Sequence, residues 1–132
     1  MFLSLLRGFV AAALLSVISF AGPNDANAET VCNTSSMGDK NCITANEMNG
    51  SFSAKVTWSY KVARNTVVPG KSIKYSEWRA NILCSSRYGN ITYIIFKDAK
   101  NKTITISQNQ LNNAHSGLTK NSLPRLISVL CG

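Results

Sequence analysis

Histidine, assembled catalytic motifs and negative charge are what this chain has least of. Its 132 residues include one His, and six Asp plus Glu stand against fourteen Lys plus Arg. A lone His115 excludes any mechanism that needs two imidazoles, the two-histidine ribonuclease among them, and with its nearest carboxylates distant in sequence it reads as a surface residue. No Gly-x-Ser-x-Gly occurs, so a nucleophile elbow is missing. No Cys-x-x-Cys occurs either, and His115 is far in sequence from every cysteine, which argues against a tetrahedral zinc site. Asp39, Glu47, Glu77 and Asp98 show no spacing that selects a glycosidase-like pair of carboxylates. Repeats, linkers and low-complexity tracts are absent too. The expectation is a protein that is not an enzyme and takes no metal and no cofactor.

What is present begins with an address. Arg7, the apolar stretch Phe9 to Ala21 and the small-residue site Ala26-Asn27-Ala28 make residues 1–28 a secretory signal peptide, leaving a single mature domain over residues 29–132. An uncleaved anchor is the weaker alternative: Phe2 to Ala21 is barely long enough for a hydrocarbon core of about 30 Å, and Arg7 interrupts it. The product is therefore expected to be secreted, extracellular or, in a bacterium, periplasmic. In such a compartment Cys32, Cys42, Cys84 and Cys131 read as two disulfides rather than nucleophiles, with three possible connectivities. Fraying of the C-terminus favours a bridge from Cys32 or Cys42 to Cys131. Small domains bury a modest share of their surface, so each bridge is worth about 2–4 kcal/mol of needed stability.

The formal charge of +8 survives removal of the signal, which carries only Arg7 and Asp25. Its cations are dispersed, a pattern that favours anionic surfaces such as lipid headgroups, acidic cell-wall polymers or acidic channel mouths. No nucleic acid is expected, because basic and aromatic residues do not alternate as a stacking platform would require.

Glu29 to Asn49 reads as a polar entry segment, with a helix-capping box at Thr44-Ala45-Asn46-Glu47 that starts at most a short turn. From Ser51 to Val62 the pattern has period two: Phe52, Ala54, Val56, Trp58, Tyr60 and Val62 alternate with small or charged residues, as on a half-buried strand. Val68-Pro69-Gly70 breaks it. Tyr75 to Arg87 fits a strand or a helix, and Glu, Arg, Ala and Leu tilt the expectation to a helix. Ile91 to Phe96 and Thr103 to Ser107 read as a hairpin around the charged loop Lys97 to Lys102, with Ile91 to Phe96, apolar on both faces, placed centrally. Leu123, Ile127 and Leu130, with Pro124 in a tolerant first turn, predict a closing helix over Ser122 to Leu130. The fold class is α+β: a small disulfide-stabilised antiparallel sheet with one or two helices packed on it. Asn33, Asn49, Asn90 and Asn101 head glycosylation triplets that matter only in a eukaryotic host.

Val31-Cys32-Asn33-Thr34-Ser35-Ser36 followed by Cys42, then Ala80-Asn81-Ile82-Leu83-Cys84, Gly89-Asn90-Ile91-Thr92-Tyr93-Ile94-Ile95-Phe96 and Cys131-Gly132, together resemble the secreted killer toxins of smut fungi and their killer-toxin-like relatives. The resemblance implies a small basic secreted α/β sandwich stapled by disulfides, acting by interference with calcium uptake. It also implies a role in toxicity for the basic residue just before the mid-chain cysteine, here Arg79. Candidate binding residues are Arg79 and its neighbour Trp78, with Lys97 and Lys100 on the charged loop. The function expected is a basic secreted toxin or effector, a monomer, that binds a cell-surface protein, channel or glycan without catalysis. Two other classes fit: a glycan-binding B-type subunit of a bacterial toxin, or a periplasmic inhibitor or immunity protein.

Overall fold

The alternating stretch forms the longest strand, and the sheet grows outward from it. The computed structural model describes residues 28–132, so the segment read as a signal peptide lies outside the described residues except for Ala28. Five strands, β1 (Ala28–Thr34), β2 (Lys40–Met48), β3 (Ser51–Arg64), β4 (Ile73–Leu83) and β5 (Tyr88–Lys97), pair antiparallel, each with the next in sequence. A helical segment follows: α1 (Gln108–Gly117), a π-helical turn (Leu118–Ser122) and α2 (Leu123–Cys131). The expected α+β class, an antiparallel sheet with helix packed on it and two disulfides, is the class observed.

Along β3 the period-two pattern becomes burial. Phe52, Ala54, Val56 and Tyr60 are buried on the inner face, whereas Val62 lies beyond the core and is exposed. α2 supplies the other half of the main core, with Leu123, Leu126, Ile127 and Leu130 packed against Phe52, Ala54, Ala80 and Ile82. Its spacing is the one read from the sequence, and Pro124 sits in the first turn, where its missing N–H is not needed.

Four expectations are corrected. The polar entry segment, expected to hold at most a short helical turn, forms the hairpin β1–β2, and the supposed capping box lies inside β2, where Glu47 pairs with Phe52. Residues 73–83 are a strand: paired on both sides, β4 exchanges backbone hydrogen bonds with β3 and β5, which outweighs the small helical preference of its side chains. β5 is an edge strand; a bulge places Ile91 opposite Ala80 and Tyr93 opposite Arg79, so that Thr92 is the extra residue and Ile91 faces the core with Ile94, while Ile95 remains on the outer face opposite Glu77. Its hairpin return is a single bridge, Lys97 to Thr103, reinforced by the Ile104 N–H donating to the Phe96 carbonyl at 2.8 Å; residues 104–107 form no strand.

The disulfides are Cys32–Cys42 and Cys84–Cys131. Cys32 and Cys42 face each other in register on adjacent strands, Cα atoms 4.1 Å apart, on the sheet face away from α2. Neither can therefore reach Cys131, which is tied instead to Cys84 at the end of β4. The Arg87 guanidinium also donates to the Gly132 carbonyl at 2.8 Å, so the C-terminus is held twice.

Candidate functional site

Among the described residues, a meander with its helices on one side leaves the other side of the sheet open. Register sets its occupants: Lys55 lies opposite Arg79, Thr57 opposite Glu77, Ser59 opposite Tyr75, then Arg79 opposite Tyr93 and Tyr75 opposite Lys97. All are outward residues of β3, β4 and β5.

Glu77 is the hub. Tyr75 donates its hydroxyl to Glu77 Oε1 at 2.8 Å, and Arg79 Nε donates to Oε2 at 2.9 Å. Burial pushes the Glu77 carboxyl up, but the hydrogen bonds from Tyr75 and Arg79 and the charges of Arg79 and Lys55 outweigh it, holding the group below its ordinary value. Tyr75 is pushed up to about 12, first by burial and then by its bond to the Glu77 carboxylate. Above this hub the Arg79 guanidinium lies over the Tyr93 ring, 5.1 Å from its centroid, and Lys97 Nζ lies 5.6 Å from that of Tyr75. Arg79 engages Glu77 through Nε, and its side chain stays 54% exposed.

Two depressions mark the face. One, of about 170 Å³, is lined by Thr44, Asn46, Ser53, Lys55 and Arg79 with Ala28 at its end. The other, of about 240 Å³, is lined by Ser59, Lys74, Tyr75, Lys97 and Asn101 together with Asp98, whose carboxylate accepts from the backbone N–H groups of Lys100 and Lys102. Each offers cations together with hydroxyl or carboxamide groups. A nucleophile with an adjacent base is not among these residues, and among the described residues no three His, Cys, Asp or Glu side chains come together to hold a metal.

Of the residues singled out from sequence, Arg79 and Lys97 share this face. Trp78 does not: it points to the opposite side of β4, 5% exposed, so Arg79 stacks on Tyr93 and cannot stack on its sequence neighbour. Lys100 is exposed on the turn after β5, where Asp98 Oδ1 accepts from its backbone N–H at 2.8 Å. Lys55, Tyr75, Glu77 and Tyr93 are additional members, and Lys74, whose Nζ donates to the Lys61 carbonyl at 2.6 Å, borders the second depression. Their signal lay in the strand period, since Tyr75, Glu77 and Arg79 stand two apart and share a face only when residues 73–83 are extended.

The inner face carries a different feature. Between β3–β5 and α1 is a cavity of about 510 Å³ walled by Trp58, Tyr60, Trp78 and Phe96. Among the described residues no helix is long and apolar enough to cross a membrane. No family model, curated protein or solved structure matches the chain.

Proposed function

We propose that this protein is an exported, non-catalytic toxin or effector that binds an acidic glycan or comparable anionic polymer on a target-cell surface through its open sheet face. The observation that carries the reading is Lys55 set directly across from Arg79 on the sheet face that no described helix covers. Like charges opposite one another destabilise a sheet, and departures from such local rules concentrate at functional sites. Glu77 relieves the repulsion without removing the excess, since Lys40, Lys55, Arg79 and Lys97 outnumber Glu77 and the Asp98 at the rim of the second depression. The two polar depressions suit successive anionic units of an extended chain, and Tyr93 and Tyr75 add ring surface beside each cation. The killer-toxin-like expectation belongs to the same reading: a rigid, basic, disulfide-held surface that acts by docking.

The test uses immobilised heparin and polygalacturonate, with uncharged dextran as control. The oxidised protein binds both polyanions with an affinity that falls as salt rises, and not dextran. The double variant Lys55→Glu with Arg79→Glu weakens binding at least tenfold, whereas Lys120→Glu with Arg125→Glu, which carries the same charge change on the helical segment, changes it much less. Equal losses from the two variants would reduce the effect to net charge and remove the face as a site.

A further inference from the structure

α1 leaves the sheet beneath it unfilled. A helix packed on a core places large apolar residues on its inward stripe. Here the positions that line the cavity, at spacings of three, four and seven, are Gln110, Asn113, Ala114 and Gly117, and α1 buries none of its residues. Opposite them stand aromatic walls, with the Trp58 and Tyr60 rings parallel within 6° and their centroids 6.1 Å apart. Packed interiors hold few voids larger than a water molecule, whereas ligand pockets run to roughly 300–1,000 Å³. A cavity of about 510 Å³ belongs with the second group.

The chemistry of the walls narrows the occupant. Their side chains are mainly aromatic and aliphatic, with the Asn113 and Gln110 carboxamides on the helix side and Ser76 on the floor. Gln110 Oε1 accepts the Ser107 N–H at 2.9 Å, which leaves its Nε2 to donate elsewhere. The one acidic residue at the border, Glu77, spends its carboxylate on Tyr75 and Arg79 on the opposite sheet face. Among the described residues no cation lines the cavity. We infer that this cavity is a binding site for an uncharged, planar, largely apolar compound of two or three rings bearing a hydrogen-bonding group. It is separate from the anionic polymer site, which lies on the other side of the sheet.

The chain has two tryptophans, Trp58 and Trp78, and both line the cavity, so their emission reports occupancy. The probe is N-phenyl-1-naphthylamine, neutral, with two aromatic ring systems and one N–H. Titrated into the oxidised full-length mature protein, it binds saturably at one per chain and quenches tryptophan emission. Ala114→Phe and Gly117→Leu place side chains in the cavity; a Cβ on Gly117 meets no atom within 4 Å, so the helix itself accommodates the change. Each weakens the probe at least tenfold while the melting temperature holds or rises. The Lys55→Glu, Arg79→Glu variant binds the probe as the parent does. Absence of saturable binding to the folded parent, or unchanged affinity in both filled variants, would overturn the inference.

Discussion

Glu77 holds the open face together, and its charge is what the face needs. Its carboxyl lies below the ordinary 4.5 because the bonds and charges of Tyr75, Arg79 and Lys55 outweigh the burial that opposes them. A depressed folded-state value means that its stabilisation is complete above the unfolded value and is lost as pH falls through the folded one. Glu77→Gln should therefore cost about 1 kcal/mol at pH 7, modest because Arg79 is half exposed, and the difference from the parent should shrink in urea melts as pH falls below the ordinary carboxyl range. Tyr75 runs the other way at the alkaline end. With its folded value raised to about 12 from 10.0, its contribution is intact below pH 10 and declines toward pH 12. These residues were individually visible in the sequence, but as neighbours they were hidden: Tyr75, Glu77 and Arg79 adjoin only on an extended chain, and Lys55 joins them only by cross-strand register.

Among the elements, β3 and α2 declared themselves because each carries its own period: two for the strand, three to four for the helix. β4 carried two periods at once, and the partners on either side chose between them. α1 carried none, since Gln108 to Gly117 has no apolar stripe; its one local signal is Ser107 with Gln110, a capping box in which each side chain bonds the other's backbone. The Asn49-Gly50 turn, both residues at positive φ, is likewise the hairpin signal that joins β2 to β3. Packing of α2 on the sheet rests on one glycine. A Cβ at Gly89 would come 2.8 Å from Leu123 Cδ1 and 2.9 Å from Ile82 Cδ1, so the helix start rides on bare backbone. Gly89→Ala should lower stability by about 1–3 kcal/mol in a denaturant melt, as Leu123 and Ile82 leave their rotamers. A neutral effect there would mean that α2 shifts freely on the sheet.

For the molecule as a whole, the two bridges differ in reach. Cys32–Cys42 spans 10 residues of sequence and Cys84–Cys131 spans 47, so the chain-entropy estimate is about 3 kcal/mol for the first and about 4 kcal/mol for the second. Paired Cys→Ser replacements compared by guanidinium melts should follow that order, and the Cys84, Cys131 pair should also lower secreted yield more. The number of bridges followed from an even cysteine count, but their pairing followed from which side of the sheet each sulfur occupies. Cys32 and Cys42 face away from α2, and no spacing in the chain announces that. Charge and the period of β3 and α2 are properties of neighbouring residues, which is why basicity, the α+β class and the core stripe could be read along the chain. The open cationic face and the cavity under α1 depend on what a distant segment covers and what it fails to fill. Coverage is a relation between elements far apart in sequence, so it exists only once the meander has paired and the helices have landed on one side of it.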